Sequence, residues 1–105
     1  MVVRDLVAAV AFLRTVFGAT GEVESGRPAQ LRLGDSLVMV SAEGDRELFP
    51  AFLHVYVADV DATYRRALDC GATSLEEPAA MPYGDRRAMV RDPFGNVFQI
   101  ARPGG

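Results

Sequence analysis

The chain has 105 residues, half of them apolar and 24% charged, with a formal net charge of −3 at neutral pH. A chain of this length makes one domain, hiding roughly 65% of its unfolded surface, so two separate domains are excluded. Its 11 basic residues are all Arg and are spread over both halves beside 14 acids, which leaves no basic face for a phosphate backbone; nucleic acid is not an expected partner.

The chain opens with a short strand at Met1–Val3, and Asp5 stands where a helix cap accepts backbone N–H bonds. Leu6, Val10, Leu13 and Phe17 recur at helical spacing behind it, and Gly18 suits the left-handed position after a helix. The longest apolar run, Leu6 to Leu13, has eight residues, whereas a membrane helix needs about 20. The start Met-Val-Val-Arg-Asp lacks the order of a signal peptide, so a cytoplasmic protein without membrane partners is expected.

Strands are expected at Gly21–Glu24, Ala29–Leu33 and Leu37–Ser41, the alternation being clearest in Ala29-Gln30-Leu31-Arg32-Leu33. Glu43–Glu47 reads as a charged linking turn. The second half repeats the plan: a strand through Phe52–Val57, a helix capped by Asp59 or Asp61 with Val60, Tyr64, Ala67 and Leu68 as its stripe, and Gly71 at its end. Cys70, the single cysteine, cannot form an internal disulfide and reads as a small packing residue. Strands at Thr73–Leu75, Arg87–Arg91 and Val97–Ala101 follow, separated by a loop at Pro78–Gly84 and by a turn at Asp92–Asn96.

The halves are similar in detail. Val3-Arg4-Asp5-Leu6 and Gly18-Ala19-Thr20 are matched by Val57-Ala58-Asp59-Val60 and Gly71-Ala72-Thr73, and Gly34-Asp35-Ser36-Leu37 can be laid on Gly95-Asn96-Val97-Phe98 if the second half carries an extra loop. A competing register on Gly84-Asp85 leaves the strand after Gly95 without a counterpart. Two copies point to a pseudo-symmetric pair rather than a solenoid. The expected class is α+β, with two β-α-β-β-β modules at about 1–47 and 51–103 in a single domain and right-handed crossovers in each.

Phe17-Gly18-Ala19, His54-Val55-Tyr56-Val57-Ala58-Asp59-Val60-Asp61, Gly71-Ala72-Thr73, Tyr83-Gly84-Asp85-Arg86 and Asp92-Pro93-Phe94-Gly95-Asn96, on that duplicated plan, resemble the vicinal oxygen chelate superfamily, the glyoxalase, bleomycin-resistance and extradiol-dioxygenase group. The resemblance implies a cup-shaped eight-stranded mixed sheet whose modules pair within a chain or across a dimer. It also implies, for the enzymes of the group, one divalent metal held by the first and fourth strand of each module. Carried onto this chain, the first-strand position of module one falls before Met1 and its fourth-strand position on Val38 or Met39, neither a ligand for a hard cation. His54 and Gln99 occupy the corresponding places in module two. No metal, cofactor or catalytic residue is therefore assigned.

Strand alternation turns Phe52, His54 and Tyr56 to one face, the cup, and Leu53, Val55 and Val57 to the helix. By the same rule Gln99 faces the cup while Phe98 and Ile100 face the helix layer. His54 is either a ligand contact or a rim histidine, and Gln99 either a ligand contact or a cross-sheet hydrogen bond. Met81 and Tyr83, on the long loop, either close the cup mouth or cover the barrel end. Arg86 and Arg87 either clamp an anionic or planar group or line a solvated edge. With Met39 these residues suit an apolar cup with a few polar groups. The leading expectation is a metal-free binder of an aromatic or peptide-like small molecule, of the bleomycin-resistance type, working as a homodimer. Alternatives are a metal-dependent glyoxalase-type lyase, isomerase or thiol transferase, and a domain kept as a partner surface. No nucleophile elbow or phosphate loop supports a hydrolase or phosphotransferase.

Overall fold

Each helix starts at an aspartate whose carboxylate satisfies one of the orphan N–H groups of the first turn. The computed structural model describes residues 1–24, 27–44 and 47–104, and the chain divides into Met1–Pro50 and Ala51–Gly105. In the first unit β1 (Val2–Val3) leads into α1 (Leu6–Phe17), and β2 (Ala29–Leu33) and β3 (Ser36–Ala42) follow. Asp5 accepts from Ala8 N at 3.0 Å, and Gly18 ends the helix at φ 68°. The strands lie in the order β1-β3-β2, β1 parallel to β3 and β2 antiparallel to it.

The face that α1 buries is broader than its expected stripe: Ala9, Val10, Phe12, Leu13 and Val16 are buried, whereas Leu6 and Phe17 are half-buried. An unbroken apolar run does not choose its own buried face; packing on the sheet chooses it. Val3, Leu31 and Val40 are buried there, and Gln30, Arg32, Leu37 and Met39 point to the opposite, exposed side.

The strand expected at Gly21–Glu24 does not form. Thr20 makes a single bridge to Arg32, and Gly21, at φ 125°, turns the chain away where a side chain would meet the Gln30 carbonyl at 2.7 Å. Among the described residues there are thus seven strands in two sheets, of three and four, rather than the eight expected. Part of the expected turn Glu43–Glu47 lies outside the described residues.

The second unit contains β4 (Phe52–Tyr56), α2 (Val60–Asp69), β5 (Thr73–Ala80), β6 (Arg86–Arg91) and β7 (Val97–Arg102), with strand order β4-β7-β6-β5. Here too the first and last strands are parallel, β4 on β7 as β1 on β3. That equivalence places β3 on β7, the register set by Gly34-Asp35 against Gly95-Asn96. Asp59, not Asp61, caps α2, accepting from Ala62 N at 3.0 Å. Cys70 is the half-buried residue that closes the helix. Phe98, Ile100, Ala88 and Val90 are fully buried, as are Val60 and Ala67 of α2; each large side chain among them contributes about 1.5–3 kcal/mol.

The Asp92–Asn96 turn is buried at both ends. Asp92 Oδ1 accepts from Phe94 N at 2.9 Å and from Asn96 N at 2.8 Å, while Asn96 Oδ1 accepts from Ala51 N at 2.9 Å, fixing where β4 starts beside β7. The loop expected at Pro78–Gly84 is shorter, because β5 continues through Pro78 to Ala80. Proline is tolerated there because β5 is an edge strand whose pairing with β6 shifts register twice. Among the described residues no helix is long and apolar enough to cross a membrane.

Candidate functional site

The face of the second sheet turned away from α2 gathers the chemistry. Strand pairing arranges it in rows. His54 on β4 lies opposite Gln99 on β7, Gln99 opposite Met89 on β6, and Met89 opposite Glu76 on β5. The row on one side is Phe52, Val97, Arg91 and Thr73, and on the other Tyr56, Ala101, Arg87 and Ala79. Phe98 and Ile100 point to the helix side and are fully buried, which leaves Gln99 half-buried on this face.

Along β4 the side chains of Phe52, His54 and Tyr56 form a column. Phe52 is 59% exposed and Tyr56 63% exposed. The rings of His54 and Tyr56 are tilted by 42° with centroids 4.8 Å apart, close enough to hold one another in place. Glu76 joins the face because β5 is irregular on both sides of it. Its Oε1 lies 3.4 Å from Arg87 Nη2.

Arg86 is placed elsewhere. Strand alternation turns it to the helix side, where its Nε and Nη2 donate to the two carboxylate oxygens of Asp61 at 2.7 and 2.8 Å. The paired hydrogen bonds hold the Asp61 carboxyl below its ordinary range and the guanidinium above its own. Arg86 therefore stands on the face opposite the column, paired with Asp61.

Met81 and Tyr83 sit in a tight turn rather than on a long loop: Met81 N donates to the Asp85 carbonyl at 2.7 Å, and Gly84 N to the Met81 carbonyl at 2.9 Å. Met81 is half-buried there and Tyr83 exposed at the tip. Met39 belongs to the first unit, where it lies opposite Gln30. Those two residues, with Glu22, Glu24, Arg27 and Pro28, line a groove of about 340 Å³.

The row of His54, Gln99, Met89 and Glu76 offers one imidazole, one neutral amide, a thioether and a carboxylate already beside Arg87. Hard divalent cations want several oxygen donors, and catalytic sites want three protein ligands with an open position. Among the described residues no three His, Cys, Asp or Glu side chains converge. The residues present do not fit the divalent centre that the resemblance implies. Met89 and Glu76 stand outside the sequence expectations; the two-residue period of β6 carries Met89, but nothing local announces the bulges that turn Glu76.

Comparison with known proteins bears on the family and the fold. The model of the family described as Glyoxalase/Bleomycin resistance protein/Dioxygenase superfamily matches residues 1–100. The Mycobacterium bovis protein Mb0911c is 32% identical over 98% of this chain and 80% of its own length. A second M. bovis protein, named "Putative glyoxylase CFP32", is 35% identical over 90% of this chain, which spans 39% of that protein. Among solved structures, TioX from Micromonospora sp. ML1 superposes with a TM-score of 0.84 at 27% identity, covering 97% of this chain and 93% of TioX.

Proposed function

The chain belongs to the Glyoxalase/Bleomycin resistance protein/Dioxygenase superfamily, and from that premise we propose that it is a small-molecule-binding protein of the bleomycin-resistance type. It holds an aromatic or peptide-like ligand by contact, without metal chemistry. The observation that carries the reading is the column Phe52, His54 and Tyr56, whose two larger rings stand more than half exposed on one strand. Soluble proteins seldom leave aromatic groups clustered this way without a use.

Covering about 100 Å² of each exposed ring contributes about 2.5 kcal/mol per ring, and stacking adds about 1 kcal/mol. Micromolar binding requires about 8 kcal/mol after the cost of immobilising the ligand. Apolar contact alone thus falls short, and His54 and Gln99 supply directional hydrogen bonds to the ligand's polar groups. In this reading Met81 and Tyr83 give further apolar cover, and the protein acts as a cytoplasmic homodimer; equilibrium sedimentation tests the latter.

Thermal unfolding with bleomycin and a panel of flat and peptide-like compounds tests binding. A saturable rise in Tm that is lost in Tyr56→Ala is expected; no rise with any compound sinks the reading. The relative named as a glyoxylase favours a second reading, a metal-dependent lyase or isomerase. Elemental analysis after loading with nickel, zinc, manganese and ferrous iron separates the two: one bound metal per chain, abolished by His54→Ala, selects the second.

A further inference from the structure

We infer that the ligand carries a carboxylate and that Arg87 receives it. The inference rests on the small-molecule reading above and narrows it to organic anions. Two neighbouring arginines carry the comparison. Arg86 has a complete fork, with Nε and Nη2 both donating to Asp61 at 2.7 and 2.8 Å. Arg87, one residue on and therefore on the opposite face, has the same fork half empty. Its Nη2 reaches Glu76 Oε1 at 3.4 Å, and its Nε–H is shielded from water with no hydrogen-bond partner among the described residues.

A buried donor without an acceptor is costly, and more so on a charged group. Such a group already carries its desolvation penalty, so an arriving carboxylate gains the full paired interaction. Arg87 lies two strands from Tyr56 across the small residue Ala101, a span of roughly 10 Å at ordinary strand spacing. A flat ring against Tyr56 with a carboxylate at its far end bridges that span. Glu76, with a half-exposed side chain on the edge strand and pairing irregularities on both sides, is free to swing away as the anion enters. Arg91 is on the same face but exposed, and a hydrated guanidinium gains little from an ion pair.

Isothermal titration with 2-naphthoate and its neutral isostere 2-naphthamide tests the inference. Naphthoate is expected to bind about tenfold or more tighter than the amide. Arg87→Lys, which keeps the charge and loses the fork, removes most of that preference, and Arg87→Met removes all of it. Glu76→Gln strengthens naphthoate binding, and Arg91→Lys leaves it unaltered. The Arg87 side-chain Nε–H resonance shifts with naphthoate and not with the amide. Equal binding of the two compounds, or a preference that survives Arg87→Met, overturns the inference and leaves the binder reading standing. Failure of both compounds to bind also overturns the inference, while the binder reading is decided separately by the thermal-unfolding panel.

Discussion

Asp92 is the residue whose surroundings oppose its charge most clearly. Burial raises its carboxyl above the ordinary 3.8, against the backbone N–H bonds from Phe94 and Asn96 that favour the anion. A carboxyl with a raised native pKa contributes stability that is present below 3.8 and is lost as pH rises through the native value. Asp92→Asn keeps the acceptor for both N–H groups, so it should flatten that part of a stability-versus-pH curve measured by urea unfolding. Asp61 acts in the opposite sense: its lowered pKa gives stability above 3.8 that fades as pH falls through the native value, and Asp61→Asn removes that acid limb. His54 is exposed and, among the described residues, packs its ring on Tyr56 alone, so His54→Ala should change stability by no more than about 0.5 kcal/mol while weakening ligand binding. A large loss of stability by calorimetry would mark His54 as structural. The column of Phe52, His54 and Tyr56 was legible because alternation on a five-residue strand has two outcomes and the more aliphatic set goes under the helix. Arg86 was not, since its partner Asp61 sits 25 residues away on a helix.

Among the elements, the two helices owe their starts to matched aspartates. Asp59→Ala should cost about 1 kcal/mol by denaturant unfolding, the ordinary worth of a cap that bonds one first-turn N–H. Gly21→Ala is the harsher change: φ 125° and a carbonyl 2.7 Å from the new carbon leave the turn after Thr20 no unstrained arrangement, and a loss above about 1 kcal/mol is expected. That same glycine explains why Gly21–Glu24 looked like a strand and is not one. Its flanking residues have strand-like composition, but pairing depends on a neighbour's position, which composition does not encode. The extension of β5 through Pro78 has the mirror explanation, since proline signals a break locally and is admitted when no partner lies on its far side. The helices and the repeat itself were readable because caps and periodicity are local.

For the molecule as a whole, stability and binding are linked quantities. Ligand at one hundred times its Kd should raise unfolding free energy by about 2.7 kcal/mol, which for a chain of this size is a Tm shift on the order of 10 °C. Phe98→Ala works the other way, emptying a fully buried position at about 3–5 kcal/mol, a large share of the roughly 5–15 kcal/mol that holds a domain together; calorimetry should show much of that variant unfolded at moderate temperature. The broken pairing of β5 also bears on how the protein behaves at high concentration. A regular edge strand offers an incoming chain an uninterrupted row of donors and acceptors, the template from which fibrils grow. Pro78 removes one donor from that row and the two register shifts bend the remainder, so this border of the sheet is a poor seed for ordered aggregation, and Pro78→Val is the change that would repair it.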